Sequence, residues 1–150
     1  MPMLLQATLL LCLFLVTGVS MEENKESRRY VNLPSHGPQL PFSDAVLVGN
    51  TMYLSGRIGL DPKTGKPPAA IEDETRLLLD GVKATLEQGG MTMDDLVSVQ
   101  IFCPDVSLWE KVNGVYRGYF GKELPARAFV GSGPLLLGGH FELVAIAVKR

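Results

Sequence analysis

Ala45-Val46-Leu47-Val48-Gly49-Asn50-Thr51-Met52-Tyr53-Leu54 is the stretch from which the fold is read. Two apolar runs flank a Gly-Asn pair, and glycine at the first central position suits a two-residue type II′ hairpin turn. The segment therefore predicts two antiparallel strands. Downstream, Asp61-Pro62-Lys63-Thr64-Gly65 and Lys66-Pro67-Pro68 are turn chemistry, so the second strand stops before them. Upstream, residues 21–38 are polar and punctuated by Pro34, Gly37 and Pro38. They predict a linker or a loosely docked arm.

Beyond the turn, Leu78, Val82 and Leu86 recur at helical spacing, with Thr75 and Leu79 widening the stripe, and predict a helix from Glu72 to Gln88. Glu72, Asp73 and Glu74 stand at its start, where the helix dipole favours acids, and Gly89-Gly90 ends it. Val97 to Phe102 predicts a third strand, with Ser98 and Gln100 on one face and Val97, Val99 and Ile101 on the other. Ser107-Leu108-Trp109-Glu110 fits a capping box opening a second helix, whose stripe is Val112, Val115, Tyr116 and Tyr119 and whose stop is Gly121. Ala126 to Val130 and Phe141 to Val148 predict the last two strands. Strand pair, helix, strand, helix, strand pair specifies an α+β fold: one mixed β-sheet with both helices on one face. It is a single domain over residues 39–150.

Composition narrows the function classes. Hydrophobic residues make up 46 % and charged residues 20 %, a globular balance, and the formal net charge is −2. No basic run interleaved with aromatics exists, so no nucleic-acid partner is expected. Two cysteines, Cys12 and Cys103, and two histidines, His36 and His140, form no metal-binding spacing, so no structural zinc site is expected. Cys103, at a strand end, reads as a small buried hydrophobe. Met3 to Val19 carries no charged residue and ends near the small residues Gly18-Val19-Ser20. Residues 1–20 are read as a signal peptide of a secreted or periplasmic protein. A translation start at Met21, giving a cytoplasmic protein, stands as the alternative. The apolar run is too short for a stable membrane span.

Chemistry concentrates in the last two strands. Side chains alternate along a strand, so Arg127 and Phe129 share one face, as do Glu142, Val144, Ile146 and Val148. Glu142 is the only charged residue from Phe141 to Val148. A carboxylate in an apolar strand is costly to bury unless paired or used, so Glu142 is an exposed strand start, a partner of Arg127, or a functional acid. Arg127 follows Pro125-Ala126 and offers a planar two-pronged donor for a carboxylate or phosphate, unless it merely snorkels over the sheet. His140 adjoins Gly138-Gly139 with no evident partner and is dismissed as a base. His36 carries no role. Trp109, Tyr116 and Tyr119, at helical spacing, read as packing residues rather than an aromatic cage.

Several of these segments resemble the Rid (YjgF-type) family. They are Pro41 to Ala45, Val48-Gly49-Asn50, Leu54 to Ile58, Leu60-Asp61-Pro62, Lys63-Thr64-Gly65, Val112 to Tyr116, Tyr119-Phe120, Pro125-Ala126-Arg127 and Glu142 to Val148. The similarity spans roughly residues 39–150 in one register, and Pro-Ala-Arg is its most specific element. It implies the chorismate-mutase-like sheet, a homotrimer with three sites between subunits, and hydrolysis of reactive 2-imino or enamine acids to 2-oxo acids and ammonia without a cofactor. By the same resemblance, Arg127 binds the substrate carboxylate and Glu142 positions water, the two forming the catalytic pair. Ser55 supplies a hydroxyl, Gly56 a backbone N–H, and Asn113 a helix amide. Phe129 and Phe42 complete the substrate-binding set. Phe42 stands where deaminating relatives often carry tyrosine, Arg57 replaces a usual glutamine, and residues 131–139 depart from the usual loop. These departures bear on the substrate more than on the fold. The competing function is a non-catalytic sensor that binds small 2-oxo or 2-imino acids on the same scaffold. A ribonuclease role, attached to some relatives, is opposed by the acidic net charge.

Overall fold

The computed structural model describes residues 27–150. The leader expected in residues 1–20 lies outside them. Six strands form one sheet: β1 (Arg28–Val31), β2 (Ala45–Val48), β3 (Thr51–Arg57), β4 (Leu96–Cys103), β5 (Ala126–Gly131) and β6 (Glu142–Val148). Two helices, α1 (Ile71–Gln88) and α2 (Trp109–Tyr116), complete the α+β architecture. The strand order is β1-β2-β3-β6-β4-β5, antiparallel except for the β4–β5 pair. Because β6 runs against both neighbours, β3 and β4 are parallel, and α1 connects them. The α2 segment then connects parallel β4 and β5. Two crossovers moving the same way across the sheet, both right-handed, place their helices on one face.

Register tells which face is buried. Met52 opposes Ala147, Leu54 opposes Ala145, Val99 opposes Ala145, and Ile101 opposes Leu143. All of these are buried together with Leu78, Leu79, Val82 and Leu86 of α1 and Val112 and Tyr116 of α2. The opposite face carries Val46, Tyr53, Gln100, Val144 and Ile146, with no helix over it among the described residues.

The hairpin turn is as expected: Gly49 alone takes a positive φ, 58°, and Asn50 does not. At the end of α1 the left-handed residue is Gly90, at φ 80°.

Three expectations are corrected. Within residues 21–38, Arg28–Val31 is not free chain but an edge strand held by backbone pairing to β2, with Arg29 Nη2 donating to the Gly89 carbonyl at 2.7 Å. Few apolar side chains mark this strand because an exposed edge needs few. In β4, Val97 does not join Val99 and Ile101. The register shifts between Leu96 and Ser98, and the extra residue points Val97 outward, 45 % exposed. The second helix has no capping box at Ser107. Asp105 instead accepts the Ser107 N–H at 3.0 Å, opening a 3-10 turn, and α2 begins only at Trp109. Aspartate in the preceding loop reaches the free N–H groups first. The capping box is elsewhere, at Thr92 and Asp95, where Asp95 Oδ2 accepts the Thr92 N–H at 2.7 Å. As expected, β3 stops before Asp61: it runs to Arg57, through a register irregularity after Leu54. There Ser55 and Gly56 face the single residue Val144.

No described helix is long and apolar enough to cross a membrane, and no cluster of metal-ligating side chains occurs among the described residues.

Candidate active site

Arg127 stands opposite Val99 in the parallel β4–β5 pair, so it points to the helix side of the sheet. There α2 receives it. Arg127 Nη2 donates to Asn113 Oδ1 at 2.6 Å, and Asn113 is itself buried. The guanidinium carbon lies 4.4 Å from the Tyr116 ring centroid and 4.7 Å from that of Trp109. Phe129, one strand repeat along, meets Trp109 edge-on at 5.2 Å. Trp109 and Tyr116 are thus more than packing residues: they hold the arginine between two π faces. The signal was available in their spacing from Asn113, which puts all three over one strip of sheet.

Arg127 Nη1 and Tyr116 Oη are both buried and make no short hydrogen bond to any described residue, although the hydroxyl oxygen lies near enough to the guanidinium to favour its charge. Burial lowers the Arg127 pKa, the Arg117 charge acts the same way, and Tyr116 opposes it. The guanidinium nonetheless stays charged, because its ordinary value is so high. Burial pushes the Tyr116 hydroxyl up to about 12, so it remains a neutral donor. A buried donor without a strong acceptor costs about 1–3 kcal/mol.

Glu142 stands opposite Phe102, on the other face of the sheet. Among the described residues its carboxylate has no hydrogen-bond or ion-pair partner, so it is not the structural mate of Arg127 within one chain. It lies across the irregularity in β3, against Gly56. A Cβ on Gly56 would fall on Glu142 Oε1, so the absent side chain is what makes room for the carboxylate. A cavity of about 550 Å³ opens here, with Phe42, Ser55, Gly56, Arg57, Leu137 and Glu142 in its wall. The fold therefore gathers Phe42, Ser55, Gly56 and Glu142 around one cavity, and Arg127, Asn113 and Phe129 into a separate cluster.

Some polar groups of the pocket are already committed. The Ser55 hydroxyl donates to the Ser43 carbonyl at 2.6 Å. Asp44 Oδ1 accepts from Arg57 Nη2 at 3.2 Å, its Oδ2 takes the Leu33 N–H at 2.8 Å, and His36 Nδ1 lies 3.3 Å from Oδ2. Arg57 Nη2 also reaches Thr85 Oγ1 at 3.2 Å. Burial lowers the Arg57 pKa, an effect that Asp44 opposes.

His140 does have a partner. Glu74, fully buried in α1, accepts the His140 backbone N–H at 2.8 Å and faces its Nδ1 at 2.6 Å. The pair clamps the start of β6 to α1, two residues before Glu142. Glu74 was legible as more than a helix-dipole acid, because it continues the stripe Leu78, Val82, Leu86 one step back and must be buried. Cys103 is fully buried as expected, and burial raises its thiol pKa.

Comparison with known proteins agrees with this architecture. The Endoribonuclease L-PSP family model matches residues 34–149. The 2-iminobutanoate/2-iminopropanoate deaminase of Bos taurus is 36 % identical over 110 residues, covering 73 % of this chain and 80 % of that protein. The structure of a Thermotoga maritima protein shares 40 % identity at TM-score 0.75, covering 81 % of this chain and 98 % of the other. Escherichia coli TdcF with bound serine shares 28 % identity at TM-score 0.75, covering 81 % and 99 %. The match over most of the chain, the shared mixed sheet and the two helices on its one face together make this protein a member of the Endoribonuclease L-PSP family, the Rid (YjgF-type) proteins.

Proposed function

We propose that the protein hydrolyses reactive 2-imino acids, or their enamine tautomers, to 2-oxo acids and ammonia, at sites completed between copies of the chain in a homotrimer. The observation that carries this reading is the division of the two charged groups. Arg127, with an orphan donor, and Glu142, with no partner, lie on opposite faces of one sheet, so neither can serve the other within a chain. Bringing the Arg127 cluster of one copy against the Glu142 pocket of the next supplies both. The half-buried row Val46, Val144 and Ile146 on the uncovered face is the kind of surface a second copy would cover.

The chemistry draws only on water. Arg127 holds the substrate carboxylate through a planar fork, and Trp109 and Tyr116 restrict its motion. An imine carbon is already electrophilic. Water adds to the carbon of the protonated imine as Glu142 accepts the water's proton, giving a carbinolamine. Glu142 returns that proton to the amino nitrogen, and the C–N bond breaks as the hydroxyl oxygen closes to the carbonyl. Ammonia leaves with the hydroxyl proton passing back through Glu142, so that the products are the 2-oxo acid and ammonium. The deaminase relative and the serine-bound relative support a ligand of amino-acid form. A second reading, a binding protein without turnover, is favoured by Phe42, which lacks a hydroxyl, and by the Ser55 hydroxyl being held by Ser43.

The test is complementation. Arg127→Ala and Glu142→Gln should each slow clearance of a panel of short- and long-chain 2-imino acids by about 10²–10³. Co-refolded together, they should regain about a quarter of parental activity, because a mixed assembly contains sites with both groups intact. No recovery would place the site within one chain and overturn the shared-site reading. A parent that binds 2-oxo acids in calorimetry but accelerates no imine would leave the binding protein.

A further inference from the structure

Three departures from the family pattern, Phe42, Arg57 and the loop through Leu136-Leu137, lie far apart in sequence and converge on the Glu142 cavity. The loop is the unusual part. Leu136 is 76 % and Leu137 66 % exposed, and both line the cavity. Leu137 has φ 56°, the one non-glycine residue in the left-handed region among those described. A leucine there is disfavoured where glycine would not be, and its side chain makes no core contact that offsets the cost. Gly138 and Gly139 follow directly, so residues suited to such a bend were at hand.

The rest of the wall has the same character. Leu40, Phe42, Ile58 and Leu60 face the cavity beside the two leucines. Its other charged groups neutralise each other. Arg57 is no second anchor for an acidic substrate, being paired with Asp44 at 3.2 Å and bonded to Thr85. Glu142 is then the one unpaired charge in the wall. With the ligand carboxylate held by Arg127 and water by Glu142, the substituent on the imine carbon remains to be placed, and the surface left for it is apolar.

We infer that this pocket selects 2-imino acids with large apolar side chains, those derived from leucine- or phenylalanine-like amino acids, over short-chain and acidic ones, with Leu136 and Leu137 as the selecting wall. The inference rests on the imine-hydrolase reading and names the substrate class of that same site. A leucine-derived imine adds three carbons to an alanine-derived one. Since one methylene in an apolar pocket is worth about tenfold or more in discrimination, the parental preference should be at least about tenfold in kcat/KM.

The full chain is assayed with imines formed in situ by an amino-acid oxidase from leucine, phenylalanine and alanine. Semicarbazide traps what is not hydrolysed, and rates are corrected for spontaneous hydrolysis. The expected result is a leucine-to-alanine ratio of at least about tenfold in the parent, falling to within about twofold of unity in Leu136→Ser/Leu137→Gly. Both replacements are on exposed positions, and glycine accepts the backbone at residue 137, so the fold is retained. Turnover of all three imines at similar rates overturns the inference and leaves the hydrolase reading standing. A large ratio unchanged in the double variant removes the two leucines from the selecting wall and overturns it also. Acceleration of none defeats the hydrolase reading itself, and this inference with it.

Discussion

Gly56→Ala separates the catalytic geometry from the stability of the fold. The new Cβ would lie well inside contact distance of Glu142 Oε1, and 3.0 Å from the carboxylate carbon. Carbon and oxygen settle near 3.5 Å, so the carboxylate must withdraw by about 1 Å or more. It can do so cheaply, because it is the far end of a flexible side chain with no other partner to break. Gly56 does not have a positive φ, so alanine meets no backbone penalty of the left-handed kind. Loss of glycine also reduces the entropy of the unfolded chain, a gain of about 0.4–1 kcal/mol. The melting temperature should therefore hold or rise slightly. Catalysis should not hold, since a displacement of about 1 Å in a positioned group costs about 10²-fold. The measurements are a thermal melt and kcat/KM for imine clearance on one preparation, with Glu142→Gln as reference. An alanine variant that clears imines at the parental rate would refute the claim that Gly56 sets the position of Glu142. A variant that melts far below the parent would show that the carboxylate is not free to move.

His140→Ala leaves the fully buried Glu74 with a single backbone donor. The imidazole itself is 45 % exposed, so its removal costs one hydrogen bond to a buried carboxylate, about 1.5–3 kcal/mol in denaturant unfolding, whereas a change below about 0.5 kcal/mol would refute the clamp. In an alkaline absorbance titration, Tyr116 and Tyr119 should ionise near 12, both raised chiefly by burial. An acid whose folded pKa is raised stabilises the fold fully below its unfolded value near 10. That stabilisation is lost as pH climbs from about 10 toward about 12. Tyr116→Phe should remove one late transition and flatten that decline, and an unchanged titration would contradict the burial of this hydroxyl. The mass of the natively expressed chain should correspond to a start at Met21, by leader removal or by translation, with fractionation separating the two. Retention of residues 1–20 would refute both.

Much of the local structure needed only the amino-acid order. The Gly49 turn, the stripe of α1, the glycine stop after Gln88 and the alternation in β6 are short-range effects of backbone sterics and side-chain period. Through its family resemblance the sequence also named Phe42, Ser55, Gly56, Asn113, Arg127, Phe129 and Glu142, but as members of one undivided site. What it left open was the pairing of faces. Alternation decides which residues share a face within a strand. It is silent about faces of different strands, because that depends on register, and register is set by contacts between distant segments. Val99 opposite Arg127 and Phe102 opposite Glu142 differ by an odd number of residues along β4, and that parity alone sends the two charges to opposite sides. The displaced Val97, the partner of His140 and the meeting of Phe42 with Leu137 have the same origin. Each is a relation between segments brought together by folding, which no window of neighbouring residues contains.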